Sequence, residues 1–170
     1  MKPYIFVDLD ETLIHTFEDS EDRTPDAVEI DVSGEKVWTS LRPGALDLLA
    51  QFRAIGDVYM LTIARLDYAI KMNQHFGLGF VEEEICDRER IQEKIHFLSP
   101  NETIIIFDNL PRRENRVKIE FLRQLTRKRY IIYLQCAEYR GHPDFGFTKE
   151  SIEFFLGQIY SQVALPPPAP

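Results

Sequence analysis

Five polar side chains stand where they could work on one substrate. Asp8 and Asp10 follow the apolar run Tyr4-Ile5-Phe6-Val7, Thr62 follows Val58-Tyr59-Met60-Leu61, and Asp108 and Asn109 follow Ile104-Ile105-Ile106-Phe107. Ligands of open α/β sheets bind beyond the carboxyl ends of the strands, so if each run is a strand, three separated segments converge on one edge. Their oxygens suit a hard cation such as Mg2+, which keeps several waters and takes few protein ligands beside phosphate oxygens. Holding a phosphoryl group also asks for a basic residue. Lys94, fourteen residues before Asp108, lies on the segment leading into that third run and can return to the same edge.

Each of these residues also has a plainer use. A bare DxD after a strand is commonly just a turn, Thr62 could cap a helix, and Lys94 could be a solvated helix lysine. A calcium-binding EF-hand loop is excluded at Asp8, because Leu13 occupies the position of the required glycine and no helix precedes it. His15, His75, His96 and His142 show no metal spacing such as HExxH and read as surface or core side chains.

The elements that must position these residues are legible as patterns. The three runs, with Tyr130-Ile131-Ile132-Tyr133-Leu134, are short, continuous and rich in β-branched and aromatic residues, as strands covered on both faces are. Between them apolar residues recur at helical spacing. Leu48, Leu49, Phe52 and Ile55 form one stripe behind Pro43, Tyr68, Met72 and Phe76 a second that stops at Gly77, and Ile152, Phe155, Leu156 and Ile159 a last. Strands alternating with helices predict an α/β fold with a mainly parallel sheet. Val28–Val32 and Glu35–Thr39 alternate apolar and polar around Ser33-Gly34, which predicts an inserted β-hairpin. The acidic stretch Glu18–Asp22 before it reads as a mobile loop, and Tyr139–Asp144 as a turn-rich loop that could reach the rim of the site.

The chain has 170 residues, which fits one domain over 1–164, followed by a proline-rich, disordered tail at 165–170. With 44% hydrophobic and 28% charged residues it is ordinary globular material, not a disordered or disulfide-scaffold chain. Cys86 and Cys136 belong to no CxxC pair, and no run approaches the ~18 apolar residues of a membrane span. The expectation is a soluble, intracellular protein, cytoplasmic or nuclear. Net charge is −8, which disfavours duplex nucleic acid or an acidic membrane as partner. Leu110–Arg129 runs the other way, with eight basic residues against Glu114 and Glu120. It reads as a solvated helix face that could still dock an acidic phosphosubstrate.

The stretch Val7-Asp8-Leu9-Asp10-Glu11-Thr12-Leu13-Ile14-His15 resembles the first motif, DxDx(T/V), of haloacid dehalogenase (HAD) superfamily phosphatases. Its DLDETL wording is similar to the NLI-interacting-factor-like branch, which acts on the C-terminal domain of RNA polymerase II and related phosphoproteins. Val28–Val32 followed by Leu41-Arg42-Pro43 resembles that branch's hairpin and the lead-in to its next helix, Leu61-Thr62-Ile63-Ala64 its second motif, Lys94 its third, and Phe107-Asp108-Asn109-Leu110-Pro111 its fourth. The likeness covers Pro3 to Pro111. Ile63-Ala64-Arg65 departs from the usual Ala-Ser, and Leu110 from the usual serine.

The resemblance implies a Rossmann-like HAD core with a mainly parallel central sheet, flanking helices, a hairpin insertion and no cap domain. It implies Asp8 as nucleophile, Asp10 as proton donor and then base, Thr12 orienting Asp10, and Thr62 and Lys94 binding phosphoryl oxygens. The implied Mg2+ shell takes the Asp8 side chain, the Asp10 carbonyl and a side chain from Asn109, with Asp108 either a further ligand or the anchor of Lys94. Neither interval that houses a cap in relatives looks long enough here, so the site would be open to bulky substrates. Mg2+-dependent hydrolysis of phosphoserine or phosphothreonine in a protein is the reading preferred. The alternatives are an uncapped phosphatase for nucleotides, nucleic-acid ends or small metabolites, and a binding module that has lost catalysis.

Overall fold

Tyr4–Val7 (β1) lies at the centre of a five-stranded sheet because both of its faces are apolar. In the computed structural model, which describes residues 2–18, 22–87, 103–115 and 131–163, it is flanked by Asp57–Leu61 (β5) and Ile104–Asp108 (β7). Ile85–Cys86 (β6) adds beyond β5 and Ile131–Gln135 (β8) beyond β7, giving the order β6-β5-β1-β7-β8 with every pairing parallel. Side chains alternate across the pleat. Ile5, Val7, Val58, Met60, Ile105, Phe107, Ile132 and Leu134 join the main core, whereas Phe6, Leu61, Cys86, Ile104 and Ile106 are buried on the opposite face.

Three helices are described. Ala45–Ile55 (α1) buries Leu48, Leu49 and Phe52, and Lys149–Gln162 (α3) buries Ile152, Phe155 and Ile159. The Phe107 ring meets Phe52 at 5.3 Å and Phe155 at 4.9 Å, so the two helices grip β7 on the main-core face. Burial of each such ring is worth about 1.5–3 kcal/mol. Leu66–Phe76 (α2) ends at Gly77, whose φ of +63° supplies the left-handed residue that the sequence pattern requires there. No helix among the described residues is long and apolar enough to cross a membrane.

The predicted hairpin is present as Val28–Val32 (β3) and Glu35–Leu41 (β4), joined through Ser33 and Gly34, both at positive φ as a type I′ turn demands. A third strand, Ile14–Phe17 (β2), pairs antiparallel with β4 to make a three-stranded sheet. The sequence pattern does not disclose β2, because only four residues pair and the middle two, His15 and Thr16, are polar. The α/β expectation therefore holds, with the insertion one strand larger than expected. Among the described residues, the β1–β5 interval holds this sheet and α1, and the β5–β7 interval holds α2, a 3-10 turn at Glu82–Glu84 and β6. Residues 88–102, with Lys94, lie outside the described residues, as do 19–21 of the acidic loop, 116–130 of the basic segment, and 164–170, which include the tail.

Candidate active site

The chain runs from β1 to β5 and β6 on one side, and then to β7 and β8 on the other. The strand order thus reverses at β1 and β7, the position where open α/β sheets bind ligands. Val7 stands opposite Phe107 in the register, so Asp8 emerges level with Asp108. The Asp8 N–H donates to the Phe107 carbonyl at 2.9 Å, which carries the pairing one residue past the strand. Leu9 and Leu13 turn into the core at 0% exposure, which sends the intervening acidic side chains the other way. The loop closes on itself through Glu11, at a left-handed φ of +59°, whose N–H reaches the Ile14 carbonyl at 2.8 Å.

Thr12 joins the first and third segments. Its hydroxyl lies 3.0 Å from Asp8 Oδ2 and 3.2 Å from Asn109 Oδ1, and it accepts the Asn109 N–H at 3.1 Å. One hydroxyl carries one hydrogen, and the shorter contact to a carboxylate takes it. Thr12 is fully buried, and Asp8, Asp108 and Asn109 are each buried to 8% exposure or less. Expected beside Asp10, the Thr12 hydroxyl instead fixes Asp8 to Asn109. Asp10 is met by a residue of the apolar stripe on α2: Tyr68 donates its hydroxyl to Asp10 Oδ1 at 2.8 Å. No periodicity reports where a phenol points, so only the fold discloses this contact.

Thr62 ends β5 on the same edge, its N–H on the Cys86 carbonyl and its Oγ1 accepting the Ala64 N–H at 3.0 Å. It does not cap α2, whose N-cap residue is Arg65. Its hydroxyl hydrogen is what it can offer a ligand. Asp108 accepts the Leu110 N–H on Oδ1 at 2.8 Å, which bends the chain after β7. Tyr133 donates to the Leu110 carbonyl at 2.6 Å and accepts from Asn115. Burial raises the Tyr133 pKa, and the charges of Asp108 and Asp8 raise it further.

Two further residues brace the loop after β1. Arg42, almost fully buried, donates to the carbonyls of Phe145 at 2.6 Å, Ala137 at 2.8 Å and Thr12 at 3.2 Å, and stacks 3.9 Å over the Phe147 ring. Burial lowers its pKa, yet guanidinium stays charged at any physiological pH. Tyr139 places its N–H on the Glu11 carbonyl at 2.7 Å, so the loop expected at the rim does meet the motif. His15 holds the Glu11 carboxylate at 2.7 Å, a brace within the motif.

Among the described residues no three His, Cys, Asp or Glu side chains form a metal-binding group. The buried side-chain oxygens on the edge belong to two carboxylates, Asp8 and Asp108, and to the Asn109 amide. An all-oxygen set this small fits Mg2+, whose remaining sites go to water and phosphate, and does not fit zinc. Beside Asp10, a groove of about 310 Å3 runs between the inserted sheet and α2, lined by Thr16, Val32, Val37, Ala64 and Tyr68 and flanked by Glu35 and Arg65.

Comparisons with known proteins bear on the family and the fold. No curated protein matches the chain significantly. Among solved structures, an arginine variant of the fission yeast RNA polymerase II CTD phosphatase Fcp1 bound to beryllium fluoride is 13% identical, with a TM-score of 0.52 over 96% of this chain and 51% of that one. A second structure, of Fcp1, an essential RNA polymerase II CTD phosphatase, is 12% identical with the same TM-score over 96% and 50%. The chain thus spans about half the length of the solved proteins it matches, and the likeness shows a shared fold. The family model for NLI interacting factor-like phosphatases matches residues 3–120, which takes in the loop after β1, the inserted sheet and the end of β7. The chain belongs to the NLI interacting factor-like phosphatases, a branch of the HAD superfamily.

Proposed function

We propose that the chain is a Mg2+-dependent phosphomonoester hydrolase that works through an aspartyl-phosphate on Asp8, with phosphoserine or phosphothreonine in a protein as substrate. The observation that carries this reading is the buried junction in which Thr12 locks the Asp8 carboxylate to Asn109 at the strand-order reversal. An Asp8 oxygen attacks phosphorus, the bond from phosphorus to the leaving oxygen breaks, and Asp10 supplies the proton that leaves with that oxygen. In the second half Asp10 takes a proton from water as the water oxygen attacks phosphorus. The bond to Asp8 then breaks, releasing inorganic phosphate, freeing the Asp8 carboxylate and leaving Asp10 protonated for the next cycle.

Asp8, the Asp10 carbonyl and Asn109 would hold Mg2+, with Asp108 as a further ligand or as a partner of Lys94. The ion would neutralise phosphoryl charge next to two carboxylates. Thr62 donates its hydroxyl to an equatorial phosphoryl oxygen and Lys94 supplies the basic charge. A protein substrate is supported by the open groove at Asp10 and by Fcp1, whose structures are those of an RNA polymerase II CTD phosphatase. The same reading places the protein in the cytoplasm or nucleus.

The test is phosphate release from 4-nitrophenyl phosphate and from a phosphoserine peptide, with and without Mg2+, by the wild-type protein and by Asp8→Asn. Wild type is expected to need Mg2+ and to carry an added phosphoryl mass on Asp8 after acid quench, and Asp8→Asn to be inert. Equal turnover by the two proteins would sink the mechanism. Preference for nucleotides or small metabolites over the peptide would defeat the protein-substrate reading alone.

A further inference from the structure

We propose that Tyr68 is a positioning residue for Asp10, and that through it the inserted sheet holds the carboxyl that protonates the leaving oxygen. The proposal rests on the reading of Asp10 given above. The Tyr68 hydroxyl lies 2.8 Å from Asp10 Oδ1 and 2.7 Å from Thr16 Oγ1, and Thr16 Oγ1 lies 3.1 Å from Thr39 Oγ1. The phenol has one hydrogen and two neighbours. The phenol donates to Asp10 Oδ1, which accepts whether the carboxyl is ionised or carries its proton on the other oxygen, and the phenol oxygen accepts from Thr16. Thr16 Oγ1, having given its own hydrogen, accepts from Thr39. The chain of donors therefore has one direction, from β4 through β2 and α2 into Asp10.

The three links come from three elements, and the fold sets the position of each. Thr39 is fully buried and pairs with Thr16 across β2 and β4. Tyr68 lies in the first turn of α2, whose Ala69 and Met72 are locked in the main core. Its phenol stays protonated, since burial and the Asp10 charge both push its pKa up. Tyrosine on an apolar helix stripe ordinarily fills space. Here the ring walls the groove at Asp10 while the hydroxyl reaches the carboxylate, so ring and hydroxyl serve different ends.

A proton donor matters in proportion to how poor the leaving group is. Nitrophenolate departs nearly unaided, phenolate less easily, and a serine alkoxide hardly at all without a proton. Loss of positioning at Asp10 therefore has a signature that loss of packing lacks. In Tyr68→Phe, which keeps the ring, kcat/KM, which reports departure of the leaving group and not the later hydrolysis common to all substrates, is expected to fall roughly tenfold or more on a phosphoserine peptide, by less on phenyl phosphate, and under about threefold on 4-nitrophenyl phosphate. Thr16→Val, which removes the next link, should give a smaller loss with the same ordering. Equal losses on all three substrates, or none, in both variants would overturn the proposal. Asp10→Asn separates this outcome from failure of the parent reading. If it too shows no dependence on the leaving group, Asp10 is not the proton donor and both fall; if it shows a steep dependence and Tyr68→Phe none, only the role of Tyr68 falls.

Discussion

Thr12→Val puts the strongest test on the junction at the heart of the site. Valine has nearly the shape of threonine, but the change removes the oxygen that touches Asp8 Oδ2, Asn109 Oδ1 and the Asn109 N–H at 3.0, 3.2 and 3.1 Å. A hydrogen bond to a charged group contributes about 1.5–3 kcal/mol net, and a buried N–H left without its acceptor costs about 1–3 kcal/mol. The two share one atom, so they do not add in full, and about 2–4 kcal/mol is the expected loss. At about 2–4 °C per kcal/mol for a chain of this length, the melting temperature should drop by roughly 5–15 °C. Activity should suffer as well, because an Asp8 carboxylate free to rotate by an ångström loses on the order of 100-fold in kcat. Thr12→Ser keeps the oxygen and gives up one buried methyl, worth about 0.8 kcal/mol. Thermal melts with 4-nitrophenyl phosphate kinetics on the two variants decide the matter. If valine melts and turns over like wild type, or serine is as damaging as valine, then methyl packing holds this loop and the hydroxyl does not.

Other consequences can be checked with the same preparations. Arg42→Lys should lose about 3 kcal/mol or more in urea unfolding, since an ammonium cannot fork to the Thr12, Ala137 and Phe145 carbonyls; a variant as stable as wild type would mean water replaces the fork. Cys136, 5% exposed, has its thiol pushed up to about 11 by burial. It should ignore a disulfide reagent at pH 8 until the chain unfolds, and fast labelling of the folded protein would contradict its placement. The folded thiol holds its proton more tightly than the unfolded one, so its contribution to stability is complete below about pH 9 and is lost as pH rises towards about 11. Tyr68 and Tyr133, also raised, act in the same direction at higher pH. Urea midpoints should therefore decline on the alkaline side, and a midpoint flat from pH 8 to pH 11 would refute those placements. Chelation with EDTA should silence the enzyme, and added Mg2+ should restore it; turnover that survives chelation would remove the metal from the mechanism.

The parallel sheet was legible because β1, β5, β7 and β8 are each apolar on both faces, a pattern that local sequence displays directly. The hairpin was legible because Ser33-Gly34 is a turn that few residue pairs can make. What escaped has the opposite character. In β2, His15 and Thr16 interrupt a four-residue pairing whose existence depends on β4, more than twenty residues away. Arg42 could be noticed as part of a motif, but its work, collecting carbonyls from three loops, is a tertiary fact. At the site, Asp8 and Asn109 followed from lying at strand ends. The partner of Thr12 did not, because it depends on how Glu11 turns the chain back.

These omissions share a cause and point to how the site is built. The inserted sheet is rooted in the motif itself: the Arg42 N–H donates to the Leu13 carbonyl, and β2 begins opposite the end of β4 at Ile14 and Leu41. The residues after Asp10 are thus edge strand and motif loop at once, and their polar side chains, which weaken the strand pattern, are the ones engaged with the candidate site. His15 braces Glu11, and Thr16 meets Tyr68. A strand made of Ile and Val at those positions would have been easier to read, and it would have left Glu11 without its histidine and the phenol of Tyr68 without its donor.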